Sequence, residues 1–185
     1  MIQRIEAYAQ EWKQLSPAWK IIFAESLELK EELQEQHMAE LASIKELDCS
    51  NADVKSLEPL RHIPSLERLY LGDTHVNNLW AIQSLKQLKE LHAPFGPIKS
   101  LSILEGMDSL EIVDISYPFK PYRNISPLSD LVNIRELYCN ACGITSMHHF
   151  MALPRLEVLC LHFNPIPEEE VAAFEELMPN CKVLF

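Results

Sequence analysis

Ile44-Lys45-Glu46-Leu47-Asp48-Cys49-Ser50-Asn51-Ala52-Asp53-Val54 is followed, 22 residues on, by Leu66-Glu67-Arg68-Leu69-Tyr70-Leu71-Gly72-Asp73-Thr74-His75-Val76. The second stretch is the first with its apolar positions kept and its polar ones changed. The phrase begins again at Leu88, Leu110, Ile134 and Leu156. Self-similarity at a fixed short period is the signature of a solenoid, in which each repeat buries its apolar edge only against its neighbours.

The copies fit the pattern L-x-x-L-x-L-x-x-N/C-x-L. Its apolar places hold Ile44, Leu47, Cys49 and Val54 in the first copy, then Leu66, Leu69, Leu71 and Val76 in the second. Later copies place Leu91, Val113, Leu137 and Leu159 where the first has Leu47. Alternation across Leu47-Asp48-Cys49 predicts a short strand with every second side chain inward. Stacked copies make these strands neighbours in one parallel sheet. The second half of each repeat has a spacing of three, as in Leu57, Leu60 and Ile63 or Leu79, Ile82 and Leu85. That spacing predicts 3₁₀ or short helical returns on the convex side. The step from Leu110 to Ile134 is 24 residues rather than 22. The two extra residues fall within Tyr117-Pro118-Phe119-Lys120-Pro121-Tyr122, where a loop is expected to bulge from the strand-to-convex edge.

Three regions follow. Residues 1–43 read as a helical N-terminal cap, residues 44–166 as six repeats, and residues 167–185 as a C-terminal cap. In the first region Ile2, Ile5, Tyr8, Trp12 and Leu15 form one helical stripe. Ser16-Pro17 then opens a second helix, with Trp19, Ile22, Phe23 and Leu27 on its apolar face. A third short helix is expected over 36–43, with Met38 and Leu41 inward. The dense acids of residues 25–40 read as a solvated helical face; the rival reading is a docking surface for a basic partner. In the last region a helix starts after Pro167 with acids in its first turn. Val171, Phe174 and Leu177 are expected to face the last repeat, and Cys181 to Phe185 to add an extended segment.

Composition narrows the function. The chain has 185 residues, 48% of them apolar, and a formal charge of -11. That charge argues against a nucleic-acid partner, because phosphate contacts need clustered Lys and Arg. No run approaches the ~18 apolar residues of a membrane span. The charged N-terminal stretch does not read as a secretory signal. The five cysteines sit mostly at core places, which leads to the expectation of a reducing, cytoplasmic setting.

Residues 44–166 resemble leucine-rich repeats of the 22-residue, internalin-like bacterial class. The resemblance rests on Lys45-Glu-Leu-Asp-Cys-Ser-Asn51, on Asn164-Pro-Ile-Pro-Glu-Glu-Glu170 and on Pro179-Asn-Cys-Lys-Val-Leu-Phe185. It implies a curved solenoid that binds proteins on its concave sheet. One feature departs from that class: the inward Asn survives only as Asn164, while Ala52, Thr74, Gly96, Pro118 and Cys142 take the equivalent places. An interrupted amide ladder leaves backbone groups to find other partners, so irregular turns are expected in the middle of the solenoid.

Candidate chemistry is sparse. Cys139-x-x-Cys142, with His148 and His149 after it, is half of a zinc spacing. In the repeat frame both cysteines are inward fillers, so no metal or cofactor is expected. Cys160 is placed outward on the concave face as a candidate reactive thiol. The central outward row reads Asp48, Tyr70, His92, Asp114, Tyr138, Cys160. Rungs are ~4.8 Å apart, so His92 and Asp114 are neighbours and a dyad is conceivable, but Cys160 lies roughly 14 Å from His92. That is far beyond nucleophile–base reach, and an enzyme is not expected. The flanking rows bring Tyr70, Phe95, Tyr117, Tyr138 and Phe163 into one aromatic area, and a contiguous apolar patch with a polar rim marks an interaction site. The expected function is a non-enzymatic protein–protein interaction module that binds a protein or peptide through Arg68, Tyr70, His92, Phe95, Asp114, Tyr117, Tyr138 and Phe163. The alternative is a structural or regulatory appendage that self-associates or docks through its helical caps.

Overall fold

Every second side chain of a three-residue strand faces inward, and here that inward residue is always Leu or Val. The structure, a computed structural model, describes residues 14–30 and 32–185. The expected stripe of Ile2, Ile5, Tyr8 and Trp12 lies outside the described residues. Strands β1 (Glu46–Asp48), β2 (Arg68–Tyr70), β3 (Glu90–His92), β4 (Ile112–Asp114), β5 (Glu136–Tyr138), β6 (Val158–Cys160) and β7 (Lys182–Leu184) form one sheet in chain order. All pairs are parallel and in register: Leu47, Leu69, Leu91, Val113, Leu137, Leu159 and Val183 lie side by side. Leu69, Leu91 and Leu137 are 0% exposed, whereas Tyr70, His92 and Tyr138 are half-buried on the other face. A slip of one residue would exchange these sets.

Behind the sheet run 3₁₀ returns at Glu58–His62, Trp80–Ser84, Ser102–Leu104, Ser126–Asp130 and His148–Phe150. Leu60, Ile82, Leu104, Leu128 and Phe150 are each 0% exposed. The core is therefore a continuous slab between strands and returns, as expected of a leucine-rich-repeat solenoid.

The turns after the strands are regular throughout, contrary to the expectation of irregularity in the middle. The third residue past each strand adopts the same left-handed backbone. These residues are Asn51, Asp73, Phe95, Tyr117, Ala141 and Phe163, with φ between 54° and 63°. The reason is a main-chain ladder that does not need the side-chain amide. In the first five repeats the left-handed N–H donates to a carbonyl of the next repeat: Asn51 to Gly72 (2.9 Å), Asp73 to Pro94 (3.1 Å), Phe95 to Ser116 (3.0 Å), Tyr117 to Asn140 (2.7 Å) and Ala141 to His162 (2.8 Å). Asn164 still acts as a buried bridge. Its Nδ2 donates to the carbonyls of Cys139 (2.7 Å) and Leu161 (2.8 Å), and its Oδ1 accepts from Ile144 N (2.9 Å). Cys142 partly substitutes for this amide, donating from Sγ to Ile115 O at 3.4 Å.

Helix α1 (Pro17–Ser26) starts as expected, with the Ser16 hydroxyl accepting from Trp19 N and Pro17 in the first turn. It lays Trp19, Ile22 and Phe23 against the first repeat, and Trp19 Nε1 donates to Ser56 O at 3.1 Å. The acidic stretch 25–40 is not one helix. Helix α1 ends at Ser26, Glu28 turns left-handed (φ 52°), and a 3₁₀ turn at Glu35–His37 leads into the four-residue α2 (Met38–Leu41). Leu41 is fully buried, as expected; the side chain of Met38 lies outside the described set. At the other end α3 (Glu168–Leu177) buries Val171 and Phe174, but Leu177 is 66% exposed. The inward stripe passes instead through Met178, because a period of 3.6 favours a step of four after Phe174.

Candidate functional site

Strand alternation sends one row of side chains onto the concave face and the left-handed turns send a second row to its edge. The central row keeps its predicted order, because the strands are in register across the 24-residue repeat (Ile112 beside Glu136, Asp114 beside Tyr138). Tyr70 and His92 stack, with ring centroids 4.8 Å apart and planes at 11°. His92 Nε2 also lies 3.7 Å from Glu90. Tyr138 donates its hydroxyl to Glu136 Oε2 at 2.6 Å. That bond to an anion, with partial burial, pushes the phenol up to about 12. Burial, then the nearby carboxylates of Glu46 and Glu90, raise Tyr70 as well. Arg68 is held by Glu46, with Nε donating at 2.8 Å and a second nitrogen 2.7 Å away. Asp114 accepts from Ser116 N at 2.9 Å.

The edge row holds a second aromatic group. Phe95 and Tyr117 stack at 5.0 Å with planes at 5°, and Tyr117 meets Phe163 at 6.3 Å in a tilted arrangement. Phe95 is 51% exposed and Phe163 80%. The predicted aromatic area is thus two clusters: Tyr70 with His92 towards the N-terminal strands, and Phe95, Tyr117 and Phe163 along the edge. Tyr138 belongs to neither by ring contact and instead forms a polar pair with Glu136.

The His92–Asp114 dyad that the strand spacing left conceivable does not form. His92 is turned to Tyr70 and Glu90, and Asp114 to its own turn. Cys160 is not the open thiol expected. It is 6% exposed and donates from Sγ to Asn140 Oδ1 at 3.1 Å. Asn140 is a residue that sequence reasoning passed over. Its Oδ1 also accepts from His162 N (2.9 Å), and its own N and Nδ2 donate to Ser116 Oγ (3.1 and 3.2 Å). Its place in the row Ser50, Gly72, Pro94, Ser116, Asn140, His162, polar in most repeats, is the signal that could have found it. Cys139 and Cys142 are fully buried core residues, and burial raises the Cys139 thiol. Among the described residues no three His, Cys, Asp or Glu side chains converge as a metal site. No described helix is long and apolar enough to cross a membrane.

A further ordered feature lies at the strand entry. Lys45, Glu67, Lys89, Glu111, Arg135 and Glu157 alternate in sign from repeat to repeat. Glu67 sits 2.9 Å from both Lys45 and Lys89, and Arg135 2.8 Å from Glu157. Hydrogen bonds from Lys89 and Lys45 hold the Glu67 carboxyl down at about 2.

Comparison with solved structures places this architecture. An internalin (inlF) from Listeria monocytogenes superposes with a TM-score of 0.71 at 16% identity, over 91% of this chain and 55% of that one. A leucine-rich-repeat protein of Leptospira interrogans gives a TM-score of 0.68 at 22% identity, over 83% of this chain and 40% of its own. Internalin C2 from Listeria monocytogenes gives 0.52 at 16% identity, with 91% of each chain covered. The chain therefore spans about half the length of the first two. The shared feature is the fold, a leucine-rich-repeat solenoid of internalin-like form. No family model and no curated protein matches the sequence.

Proposed function

We propose that this solenoid is a non-enzymatic binding module that docks a protein or peptide on its concave sheet and the aromatic edge beside it. One observation carries the reading: Phe95 and Phe163 stand exposed, with Tyr117 half-buried against them, at left-handed backbone positions. A left-handed conformation costs an L-residue roughly 1–2 kcal/mol. Asn51 and Asp73, at the same turn place, are residue types that enter it more easily. Phe95 and Phe163 combine strain with apolar exposure, which folding alone does not reward. Binding rewards it, because large rigid rings contribute contact area at small entropic cost. Tyr70 and Tyr138 are the anchors on the sheet, with Arg68, His92 and Asp114 setting orientation.

The test begins with affinity capture of the partner from the native host, followed by titration. Cutting Tyr70, Tyr117, Tyr138 or Phe163 to Ala should weaken binding about thirtyfold at each true anchor, equivalent to ~2 kcal/mol. Melting curves should move far less, since these side chains point away from the core. Unchanged affinity in well-folded Tyr70→Ala/Tyr138→Ala and Tyr117→Ala/Phe163→Ala proteins would move the site to the helical caps.

A further inference from the structure

The two-residue insertion of the fourth repeat builds a cleft of about 510 Å³ between its loop and the third repeat. Its apolar lining is Pro97, Ile98, Phe119 and Pro121. The rim is cationic: Lys99, Lys120 and Arg123. All three cations are exposed, and none joins an ion pair among the described residues. The surrounding sequence contains no Asp or Glu over 93–104, 115–129 or 139–156, in a chain whose formal charge is -11. An acidic chain thus carries no acid of its own along these segments, although Asp114 and Glu170 reach Ser116, Ser146 and Met147 from outside them.

The loop is seated rather than loose. Phe119 N donates to Gly96 O and Tyr122 N to Cys142 O, both at 3.1 Å. Tyr122 is 8% exposed and pins the far end of the loop in the core. Pro121 packs onto Gly143, where an added Cβ would come within 2.5 Å of Pro121 Cβ. Phe119, between these anchors, is 65% exposed. A rigid loop that presents an aromatic ring beside unpaired cations is preorganised, which lowers the cost of binding.

We propose that this cleft docks an acidic peptide segment of a partner protein, with carboxylates on Lys99, Lys120 and Arg123 and an apolar side chain on Phe119 and the prolines. The site is separate from the concave-face reading and stands or falls without it. An apolar centre ringed by solvated charges has the anatomy of a protein interface. A small-anion site would instead bury its donors, and a long polyanion would meet the acids over the rest of the surface.

The experiment uses the full chain and a fluorescein-labelled peptide alternating Asp or Glu with Phe or Leu, read by anisotropy. A Lys-for-acid version and a Gly-for-Phe version are the controls. The acidic amphipathic peptide should bind, and both controls should bind much more weakly. Lys99→Glu/Lys120→Glu/Arg123→Glu should lose about tenfold or more, and high salt should shrink that difference. Phe119→Ala should lose about fivefold with the salt dependence retained. Tyr70→Ala/Tyr138→Ala should bind the peptide as wild type does, which separates this site from the concave one. The altered side chains are exposed, so unchanged melting curves are expected to certify folded variants. Three results would overturn the proposal: no binding of the acidic peptide, equal binding of the basic one, or equal binding of the Phe-free one with displacement by inorganic phosphate.

Discussion

At the scale of single residues the most informative position is the left-handed turn place. Five different side chains occupy its six copies, from Asn51 to Phe163, with nearly one φ value. The main-chain ladder dictates that conformation, and the side chain tolerates it. Ala141 isolates the backbone term, because it contributes little contact of its own. Ala141→Gly should stabilise the protein by about 1 kcal/mol, less part of the ~0.5–1 kcal/mol entropic cost of glycine. Urea denaturation with an unchanged slope is the measurement. A destabilised variant would mean that the turn is not strained and would remove the main support for reading the edge aromatics as binding groups. Phe163→Gly is the companion: it should relieve the same strain and, by losing its contacts with Tyr117 and His162, weaken partner binding.

At the scale of elements, strands of three residues have too few main-chain bonds to fix their own register. The inward Leu and Val column supplies most of the specificity, and the alternating charges at the strand entry add to it across repeats. Glu67 is the clearest case, since it serves Lys45 and Lys89 together. Its folded carboxyl titrates near 2 instead of the usual 4.5. Between those values the unfolded chain holds the extra proton, so stability falls as pH drops from about 5 towards 2 and is fully present above that window. Glu67→Gln should flatten that part of the stability–pH curve and leave the curve above pH 5 parallel to wild type. Chemical denaturation across the acid range reads the slope. An unchanged slope would show that this exposed triad is screened to no effect, the common fate of surface ion pairs.

At the scale of the whole molecule the ends decide cooperativity. A solenoid has no closing contact, so each terminal repeat exposes a raw apolar face unless something covers it. At the N-terminal side Trp19 and Phe23, with ring centroids 5.1 Å apart, join Leu41 in burying the first repeat. At the C-terminal side Glu170 of α3 accepts from Met147 N (3.0 Å) and Ser146 Oγ (2.8 Å), and those bonds hold its carboxyl below the ordinary range. Deleting residues 1–43 should uncover Ile44, Leu47, Val54 and Leu57. The expected result is aggregation or a broad, non-cooperative melt by calorimetry and light scattering. A soluble fragment 44–185 with a sharp transition would recast residues 1–43 as an independent module.

The sequence by itself determined the repeat unit, the parallel register, the inward column and the place of the extra loop. These follow from local periodicity, which is written along the chain and survives substitution of any one residue. It also determined which side chains reach the concave face, because alternation in a strand leaves no other choice. Tertiary structure alone decided how those side chains are engaged. Cys160 is outward by alternation yet buried, because Asn140 of the preceding repeat folds over it. The His92–Asp114 neighbours do not meet, because Tyr70 and Glu90 hold the imidazole. The acidic stretch is not one helix: its described residues leave α1 at Ser26 and enter α2 only at Met38, between the fully buried Phe23 and Leu41. The deciding partners Asn140 and Tyr70 lie a full repeat away, at a distance set by stacking rather than by spacing in the sequence.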